Sequence, residues 1–162
     1  MDILDNTAVD HFGHCFFLED GGEKGNWFEG NLGMLTRKGV ITPSDDHPTT
    51  FWIVSPLTTL INNVAAGSDG KEGFGIWYLF PDEPVGPSRP LGLFGFEEAK
   101  YTPISKFFNN YAHSNGDSGL ALFKRLDDNH GLIGCSTYEP RMDKEDRFSN
   151  YDPVVFDTFT GI

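Results

Sequence analysis

The sequence predicts an all-β fold, a right-handed parallel β-helix (solenoid) with long loop excursions. Three observations predict it: a corner motif built on asparagine that recurs along the chain, strand-type runs that are apolar nearly throughout, and prolines too closely spaced for long helices. Internal repetition comes first, because a solenoid repeats one small unit that cannot bury its apolar face alone.

The first copy of the motif reads Ile3-Leu4-Asp5-Asn6-Thr7-Ala8, followed by Gly13 and the run Phe16-Phe17-Leu18. A fainter copy runs from Trp27 through Phe28, Gly30, Asn31, Leu32 and Gly33 to Met34 and Leu35. The next clear copy is Leu60-Ile61-Asn62-Asn63-Val64-Ala65, then Gly75 and Ile76-Trp77-Tyr78-Leu79. Another follows as Phe107-Phe108-Asn109-Asn110-Tyr111-Ala112, then Gly119 and Leu120-Ala121-Leu122-Phe123. A last one opens at Val154-Val155-Phe156-Asp157-Thr158-Phe159. The whole of 1–162 therefore reads as a single β-helix segment of about five rungs.

Each copy is a short strand that ends in Asp/Asn-Asn and a small residue, which makes a sharp corner, because Asn tolerates left-handed backbone. Rungs stacked in register would place the corner side chains of Asn6, Asn31, Asn63 and Asn110 one above another, as a hydrogen-bonded ladder. Phe51-Trp52-Ile53-Val54 reads as a buried strand, and apolar runs of this kind suit parallel strands buried on one side and partly covered on the other. Loop excursions are expected near 19–25, 81–103 and 127–152, where Gly, Pro and charged residues accumulate. Both ends of the sequence fall inside a rung, so the chain is expected to be a fragment of a longer helix that packs on further rungs or subunits.

Composition narrows the function classes. There are 24 Asp and Glu against 12 Lys and Arg, a net charge of −12, which argues against nucleic acid as a partner. The same charge disfavours a broad contact with an anionic polysaccharide, so any such contact would be local or bridged by a cation. No apolar run approaches the length of a membrane span, and no signal peptide is visible after Met1. Two cysteines are too few for a disulfide framework, and Cys15, inside an apolar run, is expected to be a small buried side chain.

The densest group of titratable residues lies between Asp10 and Gly21. Asp10, His11, His14, Glu19 and Asp20 are types that serve as general acids, general bases or oxygen ligands. His11 and His14 are three apart, which puts two ligands on one face only in a helix, so a zinc site is disfavoured. His14 is the better single candidate, the alternative being a hydrogen-bonded structural histidine at a corner. His113 occupies the comparable corner of a later repeat and is expected along the same edge as His14. With Asp20 these form the candidate catalytic set. A groove along that edge would suit an extended polymer, with Asp10, Trp77, Tyr78 and Tyr111 as candidate substrate contacts, although such aromatics also serve as core. Glu19 and Asp20 are the candidate metal ligands. Asp45-Asp46-His47, after Pro43, is expected at the surface.

The ordered set of motifs resembles a known family. Gly13-His14-Cys15-Phe16-Phe17-Leu18-Glu19-Asp20-Gly21, Thr50-Phe51-Trp52, Asn62-Asn63-Val64-Ala65-Ala66-Gly67, Gly75-Ile76-Trp77-Tyr78, Gly86-Pro87-Ser88 and Phe107-Phe108-Asn109-Asn110-Tyr111-Ala112-His113-Ser114 are similar, in this order, to segments of the cell-surface and secreted hyaluronidase β-helix family. That family includes the cell migration-inducing hyaluronan-depolymerising protein, the transmembrane hyaluronidase and fibrocystin-like relatives. The resemblance implies an extracellular or cell-surface location, hyaluronan or a related glycosaminoglycan as ligand or substrate, and Ca2+ as cofactor. Its fibrocystin-like branch implies the alternative, a non-catalytic adhesion, receptor or assembly module. Family members are several times longer and carry an N-terminal G8 domain with no counterpart here. The loop between Pro43 and Thr50 is also shorter than in the hyaluronidase members.

Overall fold

The computed structural model describes residues 1–122, 125–126, 132–133, 138–139 and 160–161. The last repeat at 154–159, most of the expected 127–152 excursion and Cys135 lie outside the described residues. Strands β1 (Asp2–Leu4), β4 (Asn26–Glu29), β7 (Thr58–Ile61) and β10 (Phe107–Phe108) form sheet A. Strands β2 (Thr7–Phe12), β5 (Leu32–Arg37), β8 (Val64–Ala66), β11 (Tyr111–His113) and β15 (Thr160–Gly161) form sheet B. Strands β3 (His14–Phe17), β6 (Thr49–Ile53), β9 (Phe74–Tyr78) and β12 (Ser118–Leu122) form sheet C. Every pairing within the three sheets is parallel, so the chain turns through A, B and C in each rung: a parallel β-helix. A short antiparallel pair, β13 (Arg125–Leu126) with β14 (Leu132–Ile133), forms a separate two-stranded sheet.

The register explains why these residues close a three-sided tube. Sheet A aligns Ile3, Phe28, Leu60 and Phe107 across the rungs, and sheet C aligns Phe16, Phe51, Ile76 and Leu120. Rings from the two columns meet inside: Phe16 stacks on Phe51 at 4.6 Å between centroids, and Phe28 meets both edge-on at 6.2 and 6.4 Å. Sheet B supplies the small side, aligning Ala8, Gly33, Ala65 and Ala112. A Cβ on Gly33 would overlap the Thr50 methyl and press on the Phe16 ring. Large residues on two walls and small ones on the third fill the interior at close-packed density.

Two corners punctuate each rung. At the A–B corner the first residue of each pair takes left-handed backbone: Asp5, Gly30, Asn62 and Asn109 have φ of 53°, 69°, 55° and 50°. The second residue then turns its amide inward. Asn6, Asn31 and Asn63 each donate Nδ2 to the Oδ1 of the asparagine one rung on, at 3.2, 2.9 and 3.0 Å. Each also donates its backbone N–H to that same oxygen, at 3.0 to 3.1 Å. The second Nδ2 hydrogen of Asn31, Asn63 and Asn110 goes back to the carbonyl of Ile3, Phe28 or Leu60. Asn31, Asn63 and Asn110 are buried, and these bonds satisfy their amides, as burial of a polar group demands. At the B–C corner the left-handed positions are Asp10, Leu35, Gly67 and Ser114. A second polar file lies near it, running Cys15 Sγ, Thr36 Oγ1, Thr50 Oγ1 and Ser68 Oγ at 3.1, 3.0 and 2.9 Å. Burial pushes the Cys15 thiol above its usual range, and the Thr36 hydroxyl and the Met34 backbone oppose it only in part.

Candidate functional site

Sheet C is covered on its outer side as well as its inner side. Phe17, Trp52, Trp77 and Ala121 form its outward column, and Trp52 and Trp77 are fully buried. The cover is the segment 38–48, which leaves β5 at Arg37, makes a 3-10 turn at Pro43–Asp46 and returns to β6. His14 lies between cover and floor. Its ring stacks on Phe17 at 4.9 Å and leans on Trp52 at 4.3 Å, while His47 meets Trp77 at 5.7 Å.

The polar edge of His14 faces the cover. Its Nε2 is 3.3 Å from Ser44 Oγ and 3.9 Å from Asp45 Oδ1, and its side chain is 4% exposed. Gly13 makes the approach possible: it turns the chain at φ 82°, and a Cβ there would sit 2.7 Å from Asp45 Oδ1. Burial drives the His14 value down to about 4; Asp45 and the Thr49 backbone oppose the shift, and His47 adds to it. The ring is therefore neutral at neutral pH. Burial by itself would raise the Asp45 carboxyl, but the Thr42 hydroxyl, the N–H groups of Thr42 and Ile41, and His14 together hold it below the usual range. Those bonds measure 2.7, 3.0 and 2.8 Å. Serine and carboxylate share one ring nitrogen, and Ser44 is buried, so this is no nucleophile–base–orienter relay. The arrangement clamps the cover to the sheet.

The other sequence candidates do not gather around His14. His113 ends β11 in sheet B, aligned with Ala66 and Met34, whereas His14 opens β3 in sheet C, aligned with Thr49. The shared edge expected for the two histidines is thus corrected: they occupy different sheets. Trp77 and Tyr78, expected as substrate contacts, are core residues, 0% and 1% exposed. Tyr111 stays half-exposed on the outer side of sheet B, its ring 5.2 Å from that of His113. Asp10 sits at the left-handed B–C corner, exposed and paired with Arg37. Asp20 pins one excursion to another: its carboxylate accepts from Ser88 N–H at 3.1 Å and its carbonyl from Val85 N–H at 2.8 Å. Glu19 is exposed. Among the described residues no three His, Cys, Asp or Glu side chains gather to hold a metal ion. Glu19 and Asp20 alone do not fit the cage of 6–8 oxygens that calcium takes, and no chemistry is routed through a metal here. Asp45 corrects the expectation for 45–47, since it is buried rather than on the surface. The only signal for it in the sequence was a polar pair that follows a Thr-Pro start to a turn.

This geometry sits inside a region with known relatives. The family model of the CEMIP β-helix matches residues 1–120, which spans sheets A, B and C through four rungs. The chain belongs to this CEMIP β-helix family. Human cell surface hyaluronidase CEMIP2 is 40% identical over 147 residues, covering 75% of the chain. The human cell migration-inducing and hyaluronan-binding protein is 35% identical over 145 residues, covering 74% of it. Mouse fibrocystin-L is 38% identical over 120 residues, again covering 74%. The chain spans 10%, 10% and 3% of the lengths of these relatives. No helix among the described residues is long and apolar enough to cross a membrane.

Proposed function

We propose that this CEMIP-family chain is a glycan-facing β-helix segment of an extracellular or cell-surface protein, and that it contacts hyaluronan or a related glycosaminoglycan through the outer side of sheet B. The observation that carries the reading is the state of that side. Its outward columns, Thr7–Leu32–Val64–Tyr111 and Val9–Met34–Ala66–His113, are aligned over four rungs. All but Ala66 are half-exposed or exposed, unlike the sealed side of sheet C. The surface runs roughly 14 Å along the stack at one strand spacing per rung, is mostly apolar, and ends in an aromatic and an imidazole. Such a strip suits the C–H faces of consecutive sugar rings, with Tyr111 stacking on one of them. The names of the human relatives, a hyaluronidase and a hyaluronan-binding protein, agree with this ligand class.

Binding of fluorescent hyaluronan to the full-length protein tests the assignment. Tyr111→Ala is expected to weaken binding about 5-fold, in line with the worth of one ring stack; unchanged binding removes this face. Size analysis of the same polymer decides between depolymerisation and binding. One observation favours the fibrocystin-like alternative, a non-catalytic module: the His14 side chain is buried beneath the cover, 4% exposed. Product formation that survives His14→Ala, with or without a chelator, would take His14 out of any mechanism.

A further inference from the structure

We infer that segment 38–48 is an acid-released strap, latched to sheet C by neutral His14 through Ser44 and Asp45, whose release uncovers Trp52 and Trp77 on the outward side of the sheet. This stands apart from the glycan reading, which concerns sheet B.

The outer side of a solenoid wall usually meets water and carries polar residues. Here the outer side of sheet C carries two tryptophans with no exposed area, and the strap lies against them, His47 on Trp77 at 5.7 Å and Ser44 and Asp45 on the His14 ring that leans on Trp52. The strap is fastened at few points. Asp45 gathers its own segment by accepting from Ile41 N–H, Thr42 N–H and the Thr42 hydroxyl. Gly39 N–H donates to the Asp45 carbonyl, which closes the loop on itself. Contact with the sheet then depends on Ser44 and Asp45 meeting His14, on His47 against Trp77 and, at the base of the strap, on Phe74 N–H donating to the Pro48 carbonyl at 2.8 Å. At its tip Val40 and Ile41 are 93% and 90% exposed.

The latch has an internal conflict that acid exploits. Trp52 Nε1 is buried without a hydrogen-bond partner in the same nest, so the nest offers little solvation to a positive charge. Groups facing His14 are Asp45 and His47 from the strap, the latter paired with Glu72 from 67–73. Lys38 and Asp46 pair with each other at the exposed margin, as do Arg37 and Asp10. Only Asp45 favours the imidazolium strongly, and burial outweighs it, so the closed form binds a proton less readily than an open form with a hydrated ring. Proton uptake is therefore linked to opening. With His14 at about 4 closed and at its ordinary 6.5 when hydrated, the ratio of open to closed rises about 30-fold between pH 7.5 and pH 5.

Acrylamide quenching on the whole chain reads this out. Trp27 is exposed and is first replaced by Phe, leaving the buried Trp52 and Trp77 as reporters. Quenching is expected to rise on acidification with a midpoint between pH 4 and 6.5, while the far-UV spectrum of the strands stays constant. His14→Gln, which cannot titrate, is expected to abolish the step; a step of the same midpoint in that variant overturns the proposal. Hydrogen exchange of the unmutated chain gives a second measurement that needs no variant. After correction for the intrinsic pH dependence, amides of 38–48 should lose protection at pH 5 relative to 7.5 while those of β4, β7 and β8 do not. No change in 38–48, or an equal change everywhere, also overturns it.

Discussion

Two adjacent carboxylates show how much position decides. Asp45 and Asp46 follow each other in one turn, yet the first is buried, with three donors and a position that a Cβ on Gly13 or Gly39 would crowd, and the second is exposed beside Lys38. Asp45→Ala leaves the N–H groups of Ile41 and Thr42 without their acceptor and empties the notch lined by Gly13 and Gly39. A loss of about 2–4 kcal/mol is expected, since several buried donors are stranded at once. Asp46→Ala removes only a solvated ion pair and should cost at most about 0.5 kcal/mol. Urea denaturation of the two variants checks this, and equal costs would show that the strap adds nothing to stability. The same pair marks the limit of what the sequence shows at the site. His14 was legible as the candidate histidine because it follows a glycine and opens an apolar run. Its partner was not, because Asp45 is buried only by the return of 38–48 onto Gly13, a contact some thirty positions away that no local pattern encodes. Trp77 and Tyr78 misled for the converse reason: neighbours on a strand face opposite sides, so Tyr78 points into the tube, and Trp77 reads alike whether the wall beyond it is open or strapped.

Among the elements, the two corners of the rung differ in how the sequence writes them. The A–B corner uses a side-chain amide to bond rung to rung, so the residue type recurs and the repeat can be seen. The B–C corner needs only left-handed backbone, and Asp10, Leu35, Gly67 and Ser114 supply it with nothing chemical in common. That is why the parallel β-helix itself was readable while its three-sided section was not. Each corner makes a prediction. Asn63 is wholly buried and bonded to both neighbouring asparagines. Asn63→Leu strands the N–H and Nδ2 of Asn31 and is expected to cost about 4 kcal/mol or more, at the high end for buried polar groups. Asn6→Ala, at the exposed end of the ladder, should cost only about 1 kcal/mol. Leu35 holds φ at 56° with its side chain 45% exposed. Leu35→Gly is therefore expected to raise the urea midpoint, since left-handed backbone costs a branched side chain roughly 1 kcal/mol or more. A lowered midpoint would show that Leu35 packs on Gly67 more tightly than its exposure suggests.

For the whole molecule, charge and ligand class pull against each other, and the conflict can be measured. Acidic residues outnumber basic ones 24 to 12, a net charge of −12, and the ligand proposed for sheet B is a polyanion. A protein that grips a polyanion through basic groups loses affinity as salt rises, because bound counterions are released on contact. Here the strip offered by Leu32, Met34, Val64 and Tyr111 is uncharged, and the surrounding field opposes the approach. Contact would rest on apolar and stacking terms that salt leaves intact, while the repulsion weakens as the screening length shrinks from roughly 20 Å at 20 mM salt to about 8 Å at 150 mM. Binding of the 162-residue chain to hyaluronan should therefore strengthen a few-fold over that range, mainly through faster association. A basic patch would give the reverse slope. Affinity that falls with salt would place the polyanion contact on Lys and Arg side chains such as Lys38, Lys71 or Lys106 and remove the apolar strip from the binding surface. Because Tyr111→Ala keeps the net charge, it should lower affinity equally at both salt concentrations, which separates the stacking contribution from the field.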